Sequence, residues 1–103
     1  MLELNQKTFE TEVVQETATP VLVDFWAPWC MPCRMQTPIL EQFEKQYGNF
    51  VKVCKVNTED HQDLAAHYGI MSIPTLLVFK NGKPVHKAVG VQNAEALKRL
   101  TEV

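Results

Sequence analysis

The six residues Val21 to Trp26 follow Pro20 and read Val-Leu-Val-Asp-Phe-Trp, a run that is apolar except at Asp24. A strand with one face in water alternates apolar and polar residues, whereas a strand covered on both faces does not. The length and β-branched content of this run favour a strand over a helix. The chain is therefore predicted to build a sheet that carries helices on both faces.

Helix and strand patterns alternate through the middle of the chain. Apolar side chains recur at helical spacing over 8–16, from the Trp29–Cys33 segment to Gly48, and over 62–68. Residues 50–56 form a second apolar run of strand length. Strands that alternate with helices pair in parallel through right-handed crossovers, so the centre of the sheet is predicted to be parallel.

The last part of the chain predicts a hairpin followed by a helix. Asn81-Gly82 separates strand patterns over 75–80 and 84–89, and Asn-Gly favours the two-residue turns that join antiparallel strands. Asn93 is placed to cap a final helix. The prediction is one α/β domain over residues 1–103, with a mixed sheet between layers of helices.

Composition excludes several classes of function. Hydrophobic residues make up 46% of the chain and charged residues 21%, which predicts a folded globular domain. The net charge of −2 and the lack of a basic run argue against nucleic acid and against a membrane as partners. The N-terminus lacks the pattern of a secretory signal. Of three cysteines at least one cannot pair within the chain, so a cytoplasmic protein is expected.

Cys30 and Cys33 are the residues that point most directly to chemistry. Two cysteines separated by two residues close a small disulfide ring with little backbone movement. The strand before them and the helix after them place Cys30 at a helix N-terminus, where free N–H groups and the helix dipole favour the nucleophilic thiolate. Pro32 holds the turn without losing a needed donor. The predicted roles are Cys30 as the attacking thiolate and Cys33 as the residue that resolves the mixed disulfide.

The Cys pair has three other interpretations. Zinc usually requires a second ligand pair, and the remaining candidates, Cys54 and three histidines, lack a matching spacing. Covalent haem needs a histidine directly after the second cysteine, where Arg34 stands. A structural disulfide is disfavoured in the cytoplasm. We expect no metal and no cofactor other than the Cys30–Cys33 pair, and we expect Cys54 to be a buried hydrophobe without a redox role.

Asp24 interrupts the first strand pattern, where an unpaired charge is costly. One interpretation is an ion pair with Lys55, which lies in the second strand pattern. The other is a buried carboxylate whose raised proton affinity lets it exchange a proton with Cys33. The two interpretations are compatible, and the pattern does not choose between them.

These features occur together with others that resemble the thioredoxin family. The matching segments lie in the family's order and spacing over nearly the whole chain: Val23 to Cys30, Pro32-Cys33, Pro38, Lys55-Val56-Asn57, Tyr68-Gly69-Ile70, Ile73-Pro74-Thr75, Phe79 to Gly82 and Val89-Gly90. A match of this breadth is far more specific than the Cys pair alone.

The resemblance implies a thioredoxin fold, with a five-stranded mixed sheet flanked by four helices, and reductase activity on disulfide-containing proteins. It implies that Asp24 assists Cys33 with Lys55 beside it and that a thioredoxin reductase recycles the pair. We also expect the protein to act as a monomer. The Ile73–Pro74 bond, which the pattern alone assigns to an ordinary strand start, is implied to be cis and to face the Cys pair. The residues implied to contact partner proteins are Trp29, Met31, Pro32, Met71, Ile73, Pro74, Gly90 and Val91.

Three positions depart from the family's usual pattern. Met31 stands where glycine is usual and adds apolar, polarizable contact area beside the nucleophile. Met71 stands where a basic residue is common, and Gln36 where an apolar residue is common. Met31 and Met71 either form one adaptable docking patch or are tolerated surface variants.

Two functions of different class are compatible with the resemblance. A disulfide reductase uses the Cys pair chemically, whereas a thioredoxin-like binding subunit holds its partner whatever the redox state. Because both cysteines, Asp24 and Pro74 are present, the reductase is the prediction. Pro32 argues against an oxidase or isomerase of the same fold, since those relatives commonly carry histidine at this position.

Overall fold

The computed structural model describes residues 1–103 and contains five strands and four helices. The strands are β1 (Leu2–Glu3), β2 (Val21–Trp26), β3 (Lys52–Asn57), β4 (Thr75–Lys80) and β5 (Lys83–Val89). The helices are α1 (Gln6–Phe9), which continues as a π-helical turn over Glu10–Val14, and α2 (Met31–Tyr47), α3 (Gln62–His67) and α4 (Ala94–Thr101). None of the four is long and apolar enough to cross a bilayer.

The strands form one sheet in the order β1-β3-β2-β4-β5. β1, β3 and β2 run parallel, while β4 pairs antiparallel with both β2 and β5. The mixed sheet predicted from the sequence is therefore confirmed. The hairpin turn is confirmed as well, because Asn81 and Gly82 have positive φ values of 53° and 77°, as the primed two-residue turns require.

Two hydrophobic layers cover the two faces of the sheet. On one face, Phe9 and Val13 of the first helical segment and Leu64 of α3 pack against alternate residues of the central strands. On the other face, Leu40 and Phe43 of α2 pack with Leu97 of α4 against the strand residues that point the opposite way. This double covering explains why the sequence of β2 is apolar without alternation.

The sequence pattern left the first strand undetected and misplaced the edges of several elements, by two residues at β3 and at the first helix. β1 has only two residues, too few to show any periodicity, and it is held by parallel pairing of Leu2 with Cys54. β3 begins at Lys52 rather than at position 50, because Phe50 stands exposed in the turn before it. The first helix begins at Gln6 because Asn5 and Thr8 form a capping box that the apolar spacing does not reveal.

Candidate active site

Cys30 is the N-cap residue of α2, at the junction with the segment that leaves β2. Its backbone is extended (φ −91°, ψ 111°), and its Sγ accepts a hydrogen bond from the backbone N–H of Cys33 at 3.2 Å. Pro32 lies within the first turn of the helix, where a missing N–H costs nothing. The predicted position of Cys30 at a helix N-terminus is confirmed, and with it the exposure of its sulfur to the positive end of the helix dipole.

Cys30 and Cys33 are joined by a disulfide, with their Cα atoms 5.2 Å apart. The two residues differ in accessibility: Cys33 is fully buried, whereas Cys30 keeps 5% of its surface exposed. The Sγ of Cys30 also lies 3.8 Å from the carbonyl oxygen of Ile73, two residues before β4. A reagent or partner that approaches the pair therefore meets Cys30 first.

The Ile73–Pro74 peptide bond is cis, as the family resemblance implied. Pro74 is buried, and its carbonyl oxygen accepts a hydrogen bond from Gly90 N–H at 2.8 Å. Ile73 is half-buried and packs against the small cluster of Ala27, Cys30 and Cys33. The start of β4 and the end of β5 are thereby held beside the Cys pair.

Asp24 is the most unusual charged group of the protein, because it is 1% exposed and neither carboxylate oxygen has a hydrogen-bond partner. It lies two residues from Leu22, so its side chain faces the same layer as α2, the helix that carries Cys33. Burial raises the pKa of Asp24 to about 7, while the positive charge of Lys55 opposes that rise and the negative charge of Glu3 adds to it. A carboxyl group with this pKa exchanges protons near neutral pH.

Lys55 lies opposite Asp24 in the register of β2 and β3, but it does not form the ion pair that was one interpretation of Asp24. Its Nζ is 3.8 Å from Oε1 of Glu3 and 4.8 Å from the centre of the Trp26 ring. Trp26 in turn donates from Nε1 to Oε2 of Glu3 at 3.2 Å. Lys55 therefore acts on Asp24 through space, and Asp24 stays unpaired.

Glu3 is a residue of this site that the sequence analysis did not identify. It lies on β1, the strand that is too short to leave a pattern, and it contacts Lys55 and Trp26 only because β1 pairs with β3. No local signal distinguishes it from the other exposed glutamates of the chain.

The exposed side chains around the Cys pair are mainly apolar. Met71 is 93% exposed and Trp29 70%, and Met31, Pro32 and Val91 are also exposed. Trp29 and Met31 are chain neighbours of Cys30, Met71 lies two residues before Ile73, and Val91 follows Gly90. We call the set of Trp29, Met31, Pro32, Met71, Ile73, Gly90 and Val91 the apolar rim. Pro74, which was expected to contact partners, is buried behind it.

Cys54 is fully buried on β3 among the side chains of the first hydrophobic layer. Burial raises the pKa of the Cys54 thiol to about 12, which leaves almost no thiolate at neutral pH. Nor does the protein contain a group of three or more His, Cys, Asp or Glu side chains that could hold a metal ion. The zinc interpretation of Cys30 and Cys33 therefore lacks the additional ligands that it needs.

We expect iodoacetamide to leave the oxidised, folded protein unmodified at pH 8, because Cys54 is its only free thiol and is buried. Unfolding in guanidinium should expose one reactive cysteine, detected as a single added carbamidomethyl group in the mass spectrum. Labelling of the native protein at a rate close to that of the unfolded protein would show that Cys54 is accessible.

The thioredoxin family model matches residues 1–102 of the chain. The chain belongs to the thioredoxin family. It is 54% identical to Thioredoxin 1 of Synechococcus elongatus over 83 residues, which are 81% of this chain and 77% of that protein. It is 45% identical to Thioredoxin 1 of Nostoc sp. over 100 residues, 97% of this chain and 92% of that protein. With Thioredoxin of Bacillus subtilis it shares 49% identity over 80 residues, 78% of this chain and 77% of that protein.

Family membership and the Cys pair together establish the class of activity. The protein is a thiol–disulfide oxidoreductase that reduces protein disulfides through Cys30 and Cys33, and this chemistry needs no cofactor beyond the pair. The alternative of a redox-independent binding subunit is not favoured, since both cysteines are present and lie within bonding distance of each other.

Proposed function

We propose that Cys30 is the nucleophile of the reductase and Cys33 its resolving residue. The observation that carries this assignment is the position of Cys30 at the N-cap of α2, where the Cys33 N–H points at its sulfur. A backbone donor and the helix dipole both stabilise a thiolate more than a thiol. Cys33 is fully buried, so a partner disulfide cannot reach it first.

The reaction transfers two electrons in two exchange steps. The Cys30 thiolate attacks one sulfur of the partner disulfide, the partner's S–S bond breaks, and a mixed disulfide forms as one partner thiolate leaves. The Cys33 thiolate then attacks Sγ of Cys30, the mixed disulfide breaks, and the second partner thiolate leaves. The partner is reduced to a dithiol, and the Cys30–Cys33 pair is oxidised to the disulfide.

Asp24 is proposed to take the proton that Cys33 must lose before it attacks. Its buried carboxylate has no hydrogen bond to give up, and its pKa of about 7 lets it bind and release a proton near neutral pH. Lys55 is proposed to moderate this pKa from its place above Trp26, because its charge lowers the pKa that burial raises.

The apolar rim is proposed to bind the segment of the partner that carries the disulfide. The backbone of Ile73 lies beside Cys30, two residues before β4, and an extended segment of the partner would pair with it as an added strand. Met31 and Met71 would supply adaptable contacts for different side chains. Net charge and rim character give no support for nucleic acid as a partner.

Recycling of the disulfide is assigned to a thioredoxin reductase, and the setting to the cytoplasm. The family's reaction needs such an electron donor, since each turnover leaves the pair oxidised. A reducing compartment fits a chain whose third cysteine is a free thiol. We propose that the protein works as a monomer, because a second copy on the apolar rim would block access to Cys30.

Reduction of insulin disulfides with dithiothreitol as electron donor tests the proposed activity. The protein should accelerate precipitation of the insulin B chain well above the rate of dithiothreitol alone. A rate no faster than dithiothreitol alone would contradict a general protein disulfide reductase.

Replacing Met71 by serine should weaken docking of protein substrates. Burying about half of a methionine side chain stabilises a complex by about 1 kcal/mol, so the second-order rate constant with insulin should fall roughly fivefold. Val103→Ser is the matched control, because Val103 is also an exposed apolar residue but lies at the C-terminus, outside the rim. Equal rates for the Met71→Ser variant and the wild type would exclude Met71 from the docking surface.

A further inference from the structure

Gln36 is a fully buried polar residue on α2, three residues after Cys33. Its side-chain amide makes two hydrogen bonds, both with the backbone of Gln92. Oε1 accepts from the Gln92 N–H at 2.6 Å, and Nε2 donates to the Gln92 carbonyl oxygen at 3.0 Å. An amide that meets both backbone groups of one residue reproduces the pairing that a neighbouring strand would offer.

The two bonds fix one end of the segment 90–92, which follows β5 and contains the rim residues Gly90 and Val91. The other end is fixed by the bond from Gly90 N–H to Pro74. The side chain of Gln92 folds back as well, donating from Nε2 to the carbonyl oxygens of Val89 at 3.2 Å and Gly90 at 3.0 Å. Val91, between the fixed ends, makes no backbone hydrogen bond and is exposed.

The two anchors of this segment belong to the two halves of the active site. Pro74 follows Ile73, whose carbonyl oxygen contacts Cys30, and Gln36 lies on the helix that carries Cys33. The position of Val91 relative to the Cys pair is therefore set through Gln36. An apolar side chain at position 36 would fill the same space but leave the N–H and the carbonyl group of half-buried Gln92 without these partners, which costs free energy.

We propose that Gln36 is a positioning residue that holds the segment 90–92 in place for binding protein disulfides and takes no part in the thiol chemistry. The inference rests on the proposed function, because it requires the segment to contact the partner. Without the two bonds, the segment must be ordered at the moment of binding, and ordering a loop lowers affinity. A small disulfide reaches Cys30 without touching the segment, so its rate of reaction should not depend on the two bonds.

The test compares Gln36→Leu with Gln46→Leu, which makes the same chemical change at an exposed position near the end of α2. Each reduced protein is mixed with insulin or with 5,5′-dithiobis(2-nitrobenzoate), and the second-order rate constant is measured. Gln36→Leu should slow the reaction with insulin roughly two- to tenfold, the range expected when a binding loop must be ordered, and should change the rate with the small disulfide less than about twofold. Gln46→Leu should leave both rates unchanged.

Amide hydrogen exchange tests whether Gln36 anchors the segment in solution, while the comparison of the two disulfides tests whether that anchoring serves binding. The Gln92 amide should be protected, and the adjacent Val91 amide should exchange freely. Gln36→Leu should abolish the protection of Gln92 while the amides of the central strands keep theirs. If Gln36→Leu does not fold, Gln36→Met, with a longer and more adaptable side chain, takes its place in both measurements.

The outcomes separate this inference from the proposed function. Failure of the wild type to reduce insulin would overturn the proposed function. If the wild type is active, either of two results would overturn the role of Gln36. One is a variant whose reactions with the two disulfides are slowed equally or not at all; the other is equal exchange rates for the Gln92 and Val91 amides in the wild type.

Discussion

Replacing Cys33 by serine should stop turnover and trap partner proteins on Cys30. The Cys30 thiolate still attacks the partner disulfide, but a serine hydroxyl cannot resolve the mixed disulfide that forms. The rate of insulin reduction should fall to that of dithiothreitol alone. Replacing Cys30 by serine should also abolish turnover but trap nothing, because buried Cys33 is not reached by the partner.

Non-reducing gels with mass spectrometry distinguish the two variants. Incubation of each pre-reduced variant with an excess of oxidised insulin should give a covalent adduct at Cys30 for Cys33→Ser and none for Cys30→Ser. Cys54→Ala is the control, since it removes a cysteine that is buried on the opposite face of the sheet and should keep full turnover. Adducts on Cys33 in the Cys30→Ser variant at a similar rate would reverse the assigned roles.

Replacing Asp24 by asparagine should remove a loss of stability that the oxidised wild-type protein shows as the pH rises through neutrality. The pKa of Asp24 rises from 3.8 to about 7 on folding, mainly through burial. Each pKa unit is worth about 1.4 kcal/mol, so an ionised Asp24 lowers the free energy of unfolding by about 4 kcal/mol relative to the protonated form. Asparagine occupies the same space and never ionises.

The pH range of this effect follows from the direction of the shift. Below about pH 4, Asp24 is protonated in both the folded and the unfolded protein, and its full contribution to stability is present. Between about pH 4 and pH 7 the unfolded chain ionises while the folded protein holds its proton, so stability falls as the pH rises. Above pH 7 both states are ionised and the loss is complete.

Urea unfolding at a series of pH values from 4 to 8 measures the effect. The difference in unfolding free energy between Asp24→Asn and the wild type should grow by about 4 kcal/mol across this range and then level off. Burying the asparagine amide has a free-energy cost of its own, which does not change with pH. The comparison therefore uses the change with pH in the difference between the two unfolding free energies. Asp60→Asn is the matched control, because Asp60 is exposed and its variant should follow the wild type. A constant difference between Asp24→Asn and the wild type would show that Asp24 ionises normally.

The local features of this fold can be predicted from the sequence because each depends on residues close together in the chain. The run of apolar residues in β2 reflects covering on both faces, and the Asn81-Gly82 turn reflects a backbone conformation that few other pairs adopt. The place of Cys30 at the start of α2 follows from a strand, a turn and a helix in succession. For the same reason the sequence predicts the Cys pair and its chemistry from local features alone.

Other features depend on contacts between residues far apart in the chain, which no local pattern reports. Nζ of Lys55 lies 3.8 Å from Oε1 of Glu3 because the two-residue strand β1 pairs with β3. Asp24 has no hydrogen-bond partner, which agrees with the buried carboxyl group that was one of the two interpretations left open by the sequence. Gln36 and Gln92 are 56 positions apart, and neither position alone reveals that they pair. Periodicity reports which face of an element is buried, whereas pairing between polar groups depends on which elements the fold brings together. Local patterns thus predict the two cysteines and the helical layers around the sheet, whereas the contacts of Lys55 with Glu3 and of Gln36 with Gln92 depend on how distant segments pack together.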